Sequence, residues 1–198
     1  MSKITSAAAP KAACHSMTTR TLAGCALLAA MSVVLARFVI PMPAVDQRFS
    51  LEAVPIFIAG MLFGPIPGAL VGFSADLVGC LFSGYGYNPL FCVPPILYGL
   101  SAGLFRPLLL KMTTPLTIGL SFLPPVALGS ILYQSATLAY VYGKGAFLPN
   151  FLVKLSTRSV QFAITFVLDV LVVYLLYKSK VFTAVRLWPA AQKTEDKE

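Results

Sequence analysis

Long apolar runs, broken by a few charged residues, dominate the pattern of this chain. A membrane-spanning helix needs about 20 mostly apolar residues, and most of the runs reach or approach that length. Gly/Pro-rich clusters at residues 64–68 and 83–89 interrupt two of them and predict turns. The uncharged runs cover residues 21–36, 53–75, 77–105, 112–143 and 159–168, and the last continues beyond Asp169 to Tyr177.

The simplest interpretation is an all-α integral membrane protein, a compact bundle of six transmembrane helices. We place them near residues 20–40, 51–64, 67–83, 90–108, 114–142 and 150–178. The second helix is short for a span. The fifth contains Pro124 and Pro125, so we expect a kink or a separate first segment there.

The same pattern predicts the organisation of the whole chain. We expect a disordered cytoplasmic tail at residues 1–19, one membrane domain at 20–180 and a polar cytoplasmic tail at 181–198. Basic residues precede the first apolar run, as in a signal peptide. We nevertheless expect this run to be a retained helix, because more membrane-type sequence follows it and not a polar mature domain.

Composition excludes several classes of protein. Hydrophobic residues make up 58% of the chain and charged residues 11%, whereas soluble domains carry about 25% charged residues. This argues against a soluble enzyme, a disordered protein or a nucleic-acid-binding module. The net charge of +8 is too scattered to form a basic groove.

The basic residues predict the orientation in the membrane. With six helices both termini lie on one side, and that side holds ten of the 15 Lys and Arg residues. Cytoplasmic loops carry the excess of such residues, so we expect both termini in the cytoplasm. The other side holds five: Arg37, Arg48, Lys144, Lys154 and Arg158.

Catalytic and metal-binding motifs are absent from the sequence. It contains no GxxxxGK[ST], HExxH or CxxC pattern, and its single histidine, His15, lies in the predicted tail. We therefore expect no enzyme activity, no cofactor and no metal site. Asp76 and Asp169 are the only carboxylates in the predicted helices beyond their ends, and they lie in separate helices. The class that remains is a small binding or channel protein that works with partners.

Small residues recur at a spacing of four in the first helix, as at Ala26 and Ala30. Such spacing lets a second helix approach closely within a membrane. From the pattern alone, that second helix belongs to this chain or to a partner.

Several short stretches together resemble the substrate-binding S components of energy-coupling-factor (ECF) vitamin transporters, and most of all the folate-specific branch. The resemblance covers residues 20–180, and one stretch, residues 89–95, departs from the folate pattern. The stretches are Arg48-Phe49-Ser50-Leu51, residues 59–65, Gly68-Ala69, residues 75–79, Gly86-Tyr87-Asn88-Pro89, Tyr98-Gly99-Leu100, the first helix from Ala26 to Phe38, and the membrane cation Arg158.

The resemblance implies a function. Such a protein sits in the plasma membrane of a prokaryote and binds a vitamin, here folate or a related pterin, from the outer side. It docks a transmembrane coupling subunit (T component) through a face that here contains Ala26 and Ala30. Two cytoplasmic ATPase subunits drive the cycle, in which the S component is thought to topple in the membrane.

Two arginines are candidates for binding an anionic vitamin. Guanidinium groups clamp carboxylates with paired hydrogen bonds, and the glutamate tail of folate carries two carboxylates. The alternatives are snorkelling to lipid headgroups for Arg37 and a structural ion pair for Arg158. The loop residues Arg48, Phe49 and Ser50 belong to the stretches that carry the resemblance, and we expect them to form part of a lid.

Other candidates have polar or aromatic side chains. Tyr87 and Asn88 would contact a flat heterocycle, or belong to the aromatic belt at the membrane surface. Asp76 would meet an amino group of a pterin or pair with an arginine, and Gln134 would hydrogen-bond a ligand or another helix. We place Asp169 nearer the cytoplasmic end, in a structural role. Two alternatives stay open: an S component for another vitamin, and a self-sufficient proton-coupled carrier that uses Asp76 and Asp169.

Overall fold

The computed structural model describes residues 19–37, 40–41, 48–49, 51–83, 88–111, 114–142 and 147–179, and these are almost entirely helical. The first half contains α1 (Thr19–Leu35), the paired antiparallel strands β1 (Ile40–Pro41) and β2 (Arg48–Phe49), α2 (Ala53–Phe63) and α3 (Pro65–Ser83). The second half contains a 3-10 turn (Pro89–Cys92), α4 (Val93–Leu104), α5 (Arg106–Lys111), α6 (Pro115–Pro124), a π-helical segment (Pro125–Tyr133), α7 (Gln134–Tyr142) and α8 (Phe147–Lys178).

The predicted all-helical class is confirmed, while several predicted helix ends are wrong. The first helix ends at Leu35 and not near residue 40, and Ile40 lies in β1. The third begins two residues early, because Pro65 fits the first position of a helix, where no N–H is needed. The fourth ends at Leu104, after which the chain turns into the unpredicted short helix α5.

Helix α2 is short because it is surrounded by protein. Its residues from Ala53 to Leu62 are all buried, and its neighbours are α1, α3, α4 and α8. A helix that is apolar on every side belongs inside a protein. At 1.5 Å per residue its 11 residues extend only about 16 Å, so α2 leaves space above one of its ends.

Three glycines let α2, α3 and α4 meet at one point. A Cβ on Gly99 would overlap the backbone of Gly68, and a Cβ on Gly60 would overlap the carbonyl oxygen of Gly99. Close backbone contact replaces the hydrophobic effect as the main source of helix association in lipid. A further glycine, Gly64, joins α2 to α3 with a φ of 105°, a conformation that favours glycine.

The helix that contains Pro124 and Pro125 is continuous, and it widens instead of breaking. Proline has no N–H and crowds the carbonyl four residues earlier, which disturbs the α-helical ladder. From Pro125 to Tyr133 the turns are π-helical, and the N–H of Gln134 donates to the carbonyl of Gly129, five residues back. The wide turn carries Ser130 and leads directly into Gln134.

Aromatic rings form a buried layer between these helices. The rings of Phe57 and Phe122 stack with centroids 3.9 Å apart, and Tyr98 lies tilted against Phe122 with centroids 6.0 Å apart. The hydroxyl of Tyr98 and the Oγ atom of Ser130 are 2.9 Å apart and share a hydrogen bond. The side chains of Tyr98 and Ser130 also line the space above α2.

The outer surface of the bundle is apolar, as expected for a protein whose solvent is lipid. Exposed side chains include Leu81, Phe82 and Leu116. Within the residues that the structure describes, three helical stretches are long and apolar enough to cross a membrane: Pro65–Phe82, Pro115–Val141 and Leu148–Lys178. The count of six spans and the cytoplasmic termini stay predictions, and the predicted tails lie outside the described residues except for Thr19, with which α1 begins.

Candidate functional site: a polar cavity at one end of the bundle

The short α2 leaves a cavity of about 400 Å³ above its first residues, within the size range of small-molecule sites. Ala36 after α1, Ala53 at the start of α2 and Pro94 at the start of α4 line it, so it lies at the end of the bundle that we predict to be the outer one. We call this space the main cavity. It is lined by Ala36, Glu52, Ala53, Ile56, Asp76, Phe91, Pro94, Pro95, Tyr98, Ser130, Gln134, Arg158, Gln161, Phe162, Thr165 and Asp169.

A smaller space, the annex, adjoins the main cavity and measures about 180 Å³. The two share five wall residues, among them Glu52 and Asp76, so they form neighbouring compartments of one site. The remaining walls of the annex come from the end of α1 and from α3. Arg37, at the end of α1, is the cation that lines it.

One face of α8 supplies the polar wall of the main cavity. Arg158, Gln161, Thr165 and Asp169 follow one another at spacings of three, four and four, and so share a helix face. All four line the main cavity, and the last three are buried. Along the helix, 11 residues separate Arg158 from Asp169, a rise of about 16 Å. The cation thus lies nearer the mouth and the carboxylate lies deep.

Two of the predicted arginines line the site, in different compartments. Arg158 lines the main cavity, where its guanidinium carbon lies 5.8 Å from the ring centre of Phe162, within the range of a cation–π contact. Arg37 lines the annex and donates from Nη2 to the carbonyl of Gly79 at 2.9 Å.

The predicted polar residues have distinct surroundings. Asp76 lines both compartments, and its Oδ2 accepts a 2.8 Å hydrogen bond from the thiol of Cys92. Gln134 lines the main cavity. The Oδ1 of Asn88 instead accepts from the N–H of Leu90 and caps the 3-10 turn, a local role that Asn commonly takes at helix starts. Its expected contact with a ligand stays a prediction.

The structure describes only some of the remaining predicted loop residues. Arg48 and Phe49 form β2, paired with β1 in the connection between α1 and α2. Ser50 and Tyr87 lie outside the described residues. The expected lid formed by Arg48, Phe49 and Ser50 and the expected contact of Tyr87 with a flat heterocycle stay predictions.

The sequence reasoning missed part of this site. Asp169 lines the deep end of the main cavity, whereas the sequence suggests a structural or interfacial role nearer the cytoplasmic end. Gln161 and Thr165 could have been found from their helical spacing between Arg158 and Asp169. Glu52 and Tyr98 gave no such signal, because only the short α2 and the packing of α4 bring them to the cavity wall.

The face of α1 that contains Ala26 and Ala30 points away from the bundle. Both alanines are exposed, together with Leu22, Leu27 and Val34. The opposite face, with Cys25, Leu28 and Ser32, packs inside the chain. Packing within the chain therefore does not explain the small residues on the exposed face.

Metal binding gains no support in the part of the chain that the structure describes, where no group of three or more His, Cys, Asp or Glu side chains is arranged to hold an ion. The charges of the two compartments are instead suited to an organic ligand. Arginines can bind carboxylates, and aspartates can accept N–H groups.

Comparison with known families decides the identity of this fold. The family model of the ECF-type riboflavin transporter S component matches residues 16–180. The chain belongs to this family of ECF S components. The resemblance stated from the sequence is thereby confirmed, and the protein is a multi-pass membrane protein of a transporter family that takes up vitamins.

Solved structures agree with this assignment. The S component matches the crystal structure of FolT bound with folic acid at a TM-score of 0.67 and 29% identity, covering 80% of this chain and 93% of that one. It also matches the S component for biotin from an ECF-type ABC transporter, with a TM-score of 0.55 and 19% identity over 80% of this chain and 91% of that one. At that identity the second match supports the fold alone.

A shorter match is to a curated protein of Mycoplasma pneumoniae, the uncharacterized protein MG098 homolog. The two are 36% identical over 64 residues, which is 32% of the S component. The matched region spans only 13% of the length of that relative, so the match says nothing about the function of the whole relative.

Proposed function

We propose that this S component binds folate or a related pterin in the main cavity, from the outer side, for import by an ATP-driven coupling module. The observation that carries the proposal is the charge order along the α8 wall of the cavity, with Arg158 towards the mouth and Asp169 further in, while Glu52 and Asp76 add carboxylates on the other walls. The likeness to FolT, at 29% identity over 93% of that chain, supports the same ligand class.

The charge order fits the two ends of folate. Its glutamate tail carries two carboxylates, which Arg158 and Arg37 would bind, joined by the predicted lid residue Arg48. Its pterin presents N–H groups to carboxylates, and its flat ring would lie against the aromatic side chains Phe91 and Phe162. Gln134, on the same wall, offers both a donor and an acceptor.

Riboflavin is the second candidate, because the matching family model carries that name. Riboflavin is uncharged and has no carboxylate, so Arg37 and Arg158 would have no anionic partner on this ligand. Charged groups are retained within a membrane domain mainly where they are used or paired. We therefore place folate first.

The test is isothermal titration calorimetry on the purified full-length protein with folate, riboflavin and biotin under identical conditions. We expect saturable binding of folate at micromolar concentration or below, and no comparable heat with the other two vitamins. Binding of riboflavin alone would keep the protein in its family and reassign its ligand. No response to folate would reject the folate proposal.

Partners follow from the same proposal. The exposed face of α1 with Ala26 and Ala30 would bind a transmembrane T component, and two cytoplasmic ATPase subunits would supply the energy. The protein would lie in the plasma membrane of a prokaryote, with both termini in the cytoplasm, and would catalyse no reaction itself.

A self-sufficient proton-coupled carrier is the competing mechanism, because Asp76 and Asp169 are among the carboxylates that line the cavity. Proteoliposomes separate the two mechanisms. The S component alone should bind folate without accumulating it, and accumulation should require co-reconstituted coupling subunits and ATP. Accumulation by the S component alone under a proton gradient would support the carrier.

A further inference from the structure

Asp169 has an unusual environment for a carboxylate. It is 1% exposed, it lines the deep end of the main cavity, and its Oδ1 has no hydrogen-bond partner among the described residues. A buried oxygen without a donor is costly, and buried polar atoms are nearly always partnered. The missing donor therefore has a natural source in a ligand that fills the cavity.

Several other polar groups on the same walls already have partners, although the Oε1 of Gln161 is, like the Oδ1 of Asp169, a buried acceptor with no hydrogen bond among the described residues. The hydroxyls of Tyr98 and Ser130 bond to each other, and Thr165 donates from Oγ1 to the backbone carbonyl of Gln161 at 3.1 Å. The Oδ2 of Asp76 accepts a hydrogen bond from the thiol of Cys92. Asp169 thus differs from the other carboxylate that the sequence had suggested for a pterin.

We propose that Asp169 accepts the paired N–H groups of an aminopyrimidinone edge, so that this carboxylate holds the pterin at the deep end of the cavity. This inference rests on the proposed function and names the side chain that recognises the pterin. In such an edge an amino N–H lies beside a ring N–H, and the two can donate parallel hydrogen bonds to the two oxygens of a carboxylate. Two N–H groups of a guanidinium bind a carboxylate in the same way.

The same contact discriminates against flavins. The corresponding edge of a flavin has one N–H between two carbonyl oxygens, and these oxygens would face the carboxylate oxygens of Asp169. Unpaired acceptors at a buried site reject a ligand more strongly than a missing apolar contact does. The position of Arg158, about 16 Å nearer the mouth along α8, directs the glutamate tail outwards.

The test is a cycle of two proteins and two ligands. Wild type and Asp169→Asn are titrated with folate and with its 2-desamino-2-methyl analogue, which lacks the amino donor. Wild type should bind the analogue about 10- to 100-fold more weakly, the worth of a hydrogen bond to a charged group. Asp169→Asn should lose a similar factor for folate and bind the two ligands within about threefold of each other.

The controls separate binding from folding. Ser121 is also fully buried, but its hydroxyl donates to the carbonyl of Thr117 and does not line the cavity. Ser121→Ala should therefore bind folate as wild type does. Melting temperatures of the ligand-free proteins report the folding of each variant, and the analogue on wild type needs no variant at all.

Each outcome has one meaning. Equal binding of folate and the analogue by wild type would overturn the inference, as would wild-type folate affinity in Asp169→Asn. Equal weakening of both ligands in the variant would assign Asp169 a structural role and overturn it too. Absence of folate binding to wild type would instead reject the proposed function on which the inference rests.

Discussion

Arg37 donates a 2.9 Å hydrogen bond from Nη2 to the backbone carbonyl of Gly79. The bond connects the last turn before the connection to α2 with the outer end of α3, and both residues line the annex. A guanidinium has five N–H donors in a fixed fork, so this bond leaves others for a ligand. Arg37 is therefore held in place at the annex wall by the bundle itself.

Arg37→Ala should weaken folate binding by about tenfold or more, because it removes a charge and an oriented donor together. Arg37→Lys should recover only part of this loss, since a lysine cannot keep the bond to Gly79 and present a second planar pair of donors. Calorimetry measures both variants. Arg20→Ala, at the other end of α1, is the control and should bind as wild type does.

Arg158→Ala should show which end of the ligand Arg158 contacts. If Arg158 binds the glutamate tail, its loss weakens folate by about 10- to 100-fold and changes the affinity for a pterin without that tail by less than about threefold. Competition titrations with both ligands give the comparison. An equal loss for both would mean that Arg158 contacts the pterin or supports the cavity wall through Phe162.

How much of this site could be predicted depends on the residue. Arg37, Asp76, Gln134 and Arg158 were identified because polar groups are rare in membrane helices, and the structure brings all four to the two compartments. Their contact with a ligand stays a prediction. Asn88 is predicted from the resembling loop stretch and from the hydrogen-bonding capacity of its amide, yet its side chain caps a turn, which a local sequence pattern cannot distinguish from ligand contact.

The fold was predictable where one signal dominates, and less so where backbone geometry depends on packing. Apolar runs located the helices. The π-helical turns after Pro125, however, depend on which N–H groups bond to the carbonyls that the prolines displace. The depth of the cavity follows from the short, fully surrounded α2, a tertiary property. For this reason Asp169 looked structural in the sequence and lines the cavity in the fold.

Gly99→Ala should destabilise the protein by about 1–3 kcal/mol or more, because the added Cβ would overlap the backbone of Gly68 and force α3 and α4 apart. Thermal unfolding in detergent measures the change. Gly119→Ala is a matched control: it also lies within a helix, and its Cβ would meet Phe166 at an ordinary 3.5 Å. Equal stability of the two variants would contradict the close crossing of α2, α3 and α4.

Ala26→Trp tests the exposed face of α1 as a docking surface for the T component. The large side chain would prevent close helix approach and leave the cavity intact, because Ala26 is exposed and does not line it. We expect unchanged folate binding to the isolated S component and at least about a tenfold loss of uptake with coupling subunits, the effect of removing tight packing. The matched control is Ala163→Trp, the same change at an exposed alanine of α8. It should retain uptake if α1 is the surface that binds the partner, and equal loss in both variants would show that bulk facing lipid, not the face of α1, limits transport.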